Sequence, residues 1–185
     1  MIYPIVVYGH PVLRKEATDF LPEEKNEVKQ LAEDMFETMY KADGIGLAGP
    51  QIGLARRIFV IDATPLADDF PELANFKKVF INARILEREG EPFTDQEGCL
   101  SLPGISEDVT RPSKVKIRYM DVDFNEYEEV YEGWAARVIQ HEYDHIQGIL
   151  FIDHLAPLKK RLLKRKLTAI SKGKININYR IKVAK

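Results

Sequence analysis

The sequence predicts an α+β fold, with helices and antiparallel strands in irregular order along one chain. Two helices and a hairpin carry that expectation. In PEEKNEVKQLAEDMFETMYKADG (22–44), Val28, Leu31, Ala32, Met35, Phe36 and Met39 recur at the spacing of one helical face, with proline and acids at the start and glycine just past the end. A second helix is expected from about Trp134 to Gly148. Between them, SKVKIRYMDVD and NEYEEVYEGW alternate apolar with polar residues around a short DFN turn, the pattern of an antiparallel hairpin.

The other elements follow in order. ARRIFVIDA (55–63) and KKVFINARILERE (77–89) read as strands, separated by a loop containing TPLADDFPE. Beyond the second helix, Pro157 precedes a basic stretch, KKRLLKRK (159–166), whose leucines fit one side of an amphipathic helix. KININYRIKVAK (174–185) alternates Ile175, Ile177, Tyr179, Ile181 and Val183 with polar neighbours, and reads as an edge strand or as a frayed terminus. No repeat, low-complexity tract or linker interrupts the chain. A single domain is expected, with a main body over 1–156 and a basic helix and tail over 157–185.

With 185 residues and 45% hydrophobic content, the chain can bury one sizeable core. Its start, MIYPIVVYGH, lacks a cationic opening and a long apolar run, and no later stretch approaches the roughly 18 apolar residues of a membrane span. No export or membrane insertion is expected. Cys99 is the only cysteine, which excludes an internal disulfide and fits a reducing, cytoplasmic setting. The net charge of −2 hides an asymmetry: residues 153–185 hold eleven Lys/Arg against one acid, and residues 1–152 hold sixteen against twenty-eight. Such a tail is an ordinary solvated helix face or a contact for polyanionic RNA, whose phosphates attract it without base recognition.

The stretch with the most chemistry is QHEYDHIQG (140–148). Helix positions four apart differ by about 40° of rotation, so His141 and His145 can present both imidazoles to one ion, with Glu142 beside them. This is the HExxH arrangement, in which two neutral imidazoles hold a metal and the carboxylate acts as base to its water. A catalytic site of this kind needs a third protein ligand. The metzincin continuation fails, because Phe151 stands where its last histidine would. No glutamate follows Glu142, Asp144 is too close, and His154 is only a formal candidate. Upstream, Cys99 in EGCLSLPG (97–104) sits in a turn marked by glycine and proline. It supplies a Cys/His/His set with one open position.

GIGLAGPQIG (44–53) has GxGxxG spacing, but a helix precedes it and Pro50 follows, so it is not a dinucleotide fingerprint. It is a structural turn, or bare backbone along which a peptide lies as an added strand, with Gln51 offering its amide to a developing oxyanion.

GIGLAGPQ, EGCLS and QHEYDH, in this order, closely resemble the three motifs of the peptide deformylases. GHPVLRKEA and the hairpin before the second helix also resemble that family, so the likeness covers about residues 4–155. One departure is Gly49, where the family usually has alanine. The resemblance implies a central HExxH helix among antiparallel strands, and removal of the formyl group from the initiator methionine of newly made proteins. It further implies Cys99, His141 and His145 as metal ligands, Glu142 as general acid/base, and Gln51 with the Leu100 N–H as oxyanion donors. The implied metal is iron(II), with zinc, nickel or cobalt able to substitute.

For substrate, the resemblance implies backbone pairing at Ile45, Gly46 and Gly98 with N-formylmethionyl nascent peptides, and an apolar methionine pocket. Val138, one turn before His141, should line that pocket and Arg137 should sit at its rim, while Glu97 and Arg111 should pair behind the cysteine. The basic tail is expected to dock on ribosomal RNA. Two other classes compete: a metallopeptidase cleaving internal bonds, and a non-catalytic, metal-stabilised RNA-binding module.

Overall fold

The computed structural model describes residues 1–185. In chain order the elements are β1 (Ile5–Val6), α1 (Lys25–Lys41), β2 (Gly46–Ala48), β3 (Ile58–Asp62), β4 (Lys77–Glu89), β5 (Phe93–Cys99) and β6 (Leu102–Arg111). They continue with β7 (Lys114–Met120), β8 (Glu126–Glu132), α2 (Gly133–Ile146), α3 (Pro157–Ser171) and β9 (Ile181–Lys182). Five strands form one antiparallel sheet in the order β2-β3-β4-β7-β8. Two smaller pairs flank it: the β5–β6 hairpin and the parallel β1–β9 contact.

β3 shows how the sheet is placed. All five of its residues are buried, and the first four form one apolar run rather than an alternation. Ile58 and Val60 pack with Val28, Ala32, Met35 and Met39 of α1. Phe59 and Ile61 join Ala136, Val138, Ile139, Tyr143 and Ile146 of α2, together with Phe80, Ala83 and Ile117. The sheet is thus covered by a helix on each face, and α2, the histidine helix, lies against strands. β8, farther along the sheet, keeps the half-buried alternation that its sequence shows.

The third layer is built from the tail. Leu163, Leu167 and Ile170 of α3 pack with Val7, Leu102, Ile105 and Val109 and with Leu150, Phe151 and Ile152 after α2. This layer holds the β5–β6 hairpin beside the C-terminal end of the histidine helix.

The expected strand at 77–89 is observed with the same bounds, and both long helices and the 113–134 hairpin lie where the periodicities place them. EGCLSLPG, expected as a turn, is the tip of the β5–β6 hairpin, which spans Phe93–Arg111 with Gly98 opposite Ser106 and Cys99 opposite Leu102. The 174–185 segment is extended, with odd-numbered side chains from 175 to 183 turned inward, but only Ile181–Lys182 pair as a strand, with Ile5–Val6.

Candidate metal centre

α2 begins at Gly133 and carries His141 and His145 one turn apart, with ring centroids separated by 5.4 Å. The β5–β6 hairpin delivers Cys99 to the same point from outside the helix. One donor atom from each of Cys99, His141 and His145 lies within 4.8 Å of the other two, and Cys99 Sγ is 3.4 Å from His145 Nε2. His154 and Asp144 stand outside this set. They bond to each other at 2.8 Å.

The donor set fits a divalent transition metal. Glu97 accepts from His141 Nδ1 at 2.8 Å, which fixes the tautomer and leaves Nε2 free to coordinate. Burial pushes His145 down to about 3, so its imidazole is neutral, and its buried Nδ1 has no partner. His141 is shifted the other way. Burial opposes its charge, but hydrogen bonds to Cys99 and Glu97 outweigh that and raise its proton affinity. Softness of thiolate and imidazole suits zinc, iron, cobalt or nickel rather than calcium or magnesium.

Behind these donors lies a buried ionic cluster. Arg111 donates to Glu97 through Nε at 2.6 Å and Nη2 at 2.8 Å, and through Nη1 to Asp144 at 3.0 Å. Burial alone would raise the Glu97 carboxyl, yet Arg111 and His141 hold it well below the usual carboxylate range. The expected Glu97–Arg111 pair is therefore present, with a third partner that the sequence does not signal. Arg137, expected at the pocket rim, borders the cleft but is only 1% exposed. Its guanidinium donates to Glu97 at 2.6 Å, to the Val109 carbonyl at 2.8 Å and to the Phe93 carbonyl at 2.6 Å. An arginine is expected at a surface; here a buried carboxylate and two strand carbonyls satisfy it, so it ties α2 to the hairpin.

Glu142 is 4% exposed and its Oε2 has no hydrogen-bond partner. Burial pushes its carboxyl up to about 7, the range in which a group both accepts and returns a proton at neutral pH. The carboxylate reaches β2 at Gly46, where a Cβ would lie 2.4 Å from Glu142 Oε1. Only glycine permits that approach. Gln51 follows in a short 3₁₀ turn (Gly49–Ile52); its Oε1 accepts from Ala48 N–H at 2.9 Å, and its Nε2 lies 3.4 Å from Cys99 Sγ and 3.1 Å from Ser101 Oγ. Gly49 has its own local cause: a Cβ there would stand 2.7 Å from the Arg56 carbonyl and 2.9 Å from that of Leu54.

These groups open into a cleft of about 750 Å³. Ile45, Gly46, Gly98, Leu100 and Val138 line it beside Gln51, Cys99, His141 and Glu142. Leu66, Phe70 and Trp134 add an aromatic wall, with Phe70 and Trp134 in tilted contact at 5.2 Å. β2 is an edge strand of the large sheet and β5 has a partner on one side only, so both have an unpaired edge.

A sequence model of the family described as polypeptide deformylase matches residues 2–161. The peptide deformylase of Cytophaga hutchinsonii is 52% identical over 182 residues, covering 98% of this chain and 97% of that protein. The crystal structure of the Thermus thermophilus enzyme matches with a TM-score of 0.83 at 39% identity, covering 93% of this chain and 99% of that one. For the Thermotoga maritima peptide deformylase the TM-score is 0.76 at 41% identity, covering 85% and 99%. Sequence and fold agree across nearly the whole length, and the chain belongs to the peptide deformylase family of metal-dependent hydrolases.

Proposed function

We propose that this chain hydrolyses the formyl amide of N-formylmethionyl peptides, with Cys99, His141 and His145 as metal ligands and Glu142 as the proton carrier. The observation that carries the reading is the meeting of three soft donors within 4.8 Å beside a buried carboxylate with an unpaired oxygen. A divalent ion held by these donors supplies Lewis acidity, which makes water a nucleophile near neutral pH. Glu142 takes a proton from the attacking water and returns it to the departing nitrogen, so that formate and a free amino terminus leave. Gln51 Nε2 and the Leu100 N–H donate to the formyl oxygen as its charge grows, favouring the transition state over the ground state.

The unpaired edges of β2 and β5 support backbone pairing of the peptide at Ile45, Gly46 and Gly98. Val138 and the aromatic wall offer apolar surface to the methionine side chain. We assign iron(II) as the native metal, with zinc, nickel or cobalt able to replace it; metal analysis after oxygen-free purification tests this. No helix is long and apolar enough to cross a membrane. We assign the enzyme to the cytoplasm on the ground that its proposed substrate is newly made on ribosomes. Support for a ribosomal contact comes from α3, where Lys159, Lys160, Arg161, Lys164, Arg165 and Lys166 are exposed.

The test is to incubate metal-loaded protein with formyl-Met-Ala-Ser and with an unformylated peptide, and to measure free amine and formate. Equal amounts of amine and formate from the first peptide alone are expected. Internal cleavage without formate would replace this reading with a metallopeptidase, and RNA binding without either product would replace it with a binding module.

A further inference from the structure

The match to the family's sequence model ends at residue 161, although a relative aligns over 98% of this chain, and Ile177 and Tyr179 line the candidate cleft. After α3 the chain returns alongside its own beginning: Ile5 N–H donates to the Arg180 carbonyl at 2.9 Å and Val7 N–H to that of Lys182 at 3.1 Å. Ile175, Ile181 and Val183 pack on the layer built by α3 and Leu102. Tyr179 packs on the layer that contains Leu100, and its hydroxyl donates to the Leu100 carbonyl at 2.7 Å. Burial pushes this phenol up to about 12, so it remains a donor throughout the neutral range.

Leu100 and Ser101 are the two residues between Cys99, the last of β5, and Leu102, the first of β6. Three bonds tie down this turn. Tyr179 holds the Leu100 carbonyl, Tyr8 N–H donates to the Ser101 carbonyl at 2.9 Å, and Gln51 Nε2 donates to Ser101 Oγ at 3.1 Å. Two of the three come from the terminal segments that pair with each other as β1 and β9. The Leu100 N–H, by contrast, has no acceptor in the protein, and Leu100 borders the cleft. Peptide planes are rigid, so in a two-residue turn, pinning the Leu100 carbonyl restricts the torsions that decide where the Leu100 N–H points.

We infer that Tyr179 is a positioning residue for deformylation: from the C-terminal tail, its hydroxyl fixes Leu100 so that the free N–H of that residue faces the reacting formyl oxygen. The inference rests on Leu100 as an oxyanion donor. Tyr179 touches neither substrate nor metal in this role; it acts by preorganising a donor, and misplacement of such a donor slows turnover more than it weakens binding.

The test is steady-state kinetics of metal-loaded Tyr179→Phe on formyl-Met-Ala-Ser, with metal content and melting temperature measured on the same sample. We expect kcat to fall about fivefold with KM changed by less than about twofold, and metal content unchanged. Tyr179→Leu, which also lacks the hydroxyl, should show at least the same loss in kcat. The inference is overturned if Tyr179→Phe matches the wild type in kcat, if only KM rises, or if its loss follows loss of metal. It is also overturned if only Tyr179→Leu is impaired, since ring packing would then be the cause. Gln51→Ala, assayed alongside, reports on the oxyanion reading itself: a drop of about 10²-fold in kcat supports it. An unchanged kcat there would sink that reading whatever Tyr179→Phe does, and a wild type that releases no formate would sink the proposed activity.

Discussion

The helices α2 and α3 are of similar length and both are rich in charge, but they place that charge in opposite surroundings. α2 buries eleven of its fourteen residues, among them Arg137, Glu142, Asp144 and His145. α3 buries three of fifteen, all of them apolar. In α2 each charge has lost its water and must find a specific partner, or keep a perturbed proton affinity where it has none. In α3 the charges stay hydrated and interact with each other only weakly. The same residue types therefore set chemistry in one helix and surface potential in the other.

The sharpest break of this contrast comes from the atoms that meet at α2. Cys99→Ala removes the donor that the hairpin contributes, and we expect bound metal to drop below stoichiometric by elemental analysis, with formate release falling to background. Glu142→Gln keeps the three donors and the shape of the side chain but cannot carry a proton. We expect near-normal metal content and a kcat lower by about 10³-fold, in line with loss of a general acid/base. Near-normal turnover in this variant would remove Glu142 from the role.

Glu97→Gln tests the buried ionic cluster. Its carboxylate accepts from Arg111, Arg137 and His141, so the amide would turn an NH₂ donor toward at least one cation or imidazole N–H. Breaking such a buried set typically costs about 3–5 kcal/mol, and loss of a partner behind a metal-bound histidine weakens metal affinity about 10–100-fold. A lower denaturation midpoint together with weaker metal binding in competition with a chelator is the expected outcome. A loss of stability with metal affinity intact would confine the cluster to holding the hairpin on the helix.

The same contrast explains what was legible in the sequence. Where burial follows local period, as in α1, the pattern of apolar residues locates the element. The candidate metal donors were legible because HExxH is a helical spacing and Cys99 is the only thiol. The β5–β6 hairpin was not: Thr94, Asp95, Gln96 and Glu97 give its first strand no apolar stripe, and Pro103 and Gly104 in the second resemble a loop. It is held instead by partners distant in sequence, such as Arg137 on the Phe93 and Val109 carbonyls. The buried partners of Arg137 were missed for the same reason, since nothing local marks an arginine whose partners arrive from another element. Tyr179 left a faint signal, the alternation of 175–183, but no pattern tells which carbonyl an inward tyrosine will reach.

The smallest effect on folding is expected in α3, and it sharpens the comparison from the other side. Lys160 and Lys164 are exposed, one turn apart, and their side chains make no hydrogen bond or ion pair. Reversing both, Lys160→Glu with Lys164→Glu, should change stability by less than about 1 kcal/mol and leave kcat on formyl-Met-Ala-Ser unaltered. Ribosome cosedimentation should nevertheless weaken, and more steeply at low salt, because phosphate contacts scale with the number of cations presented. Charge reversal is the cleaner probe here. Deleting residues 157–185 would also strip Leu163, Leu167 and Ile170 from the core and Tyr179 from Leu100, confusing loss of a docking face with damage to the site. Unchanged cosedimentation in the double variant would reduce the basic face of α3 to a solvated surface whose charge serves no ribosomal contact.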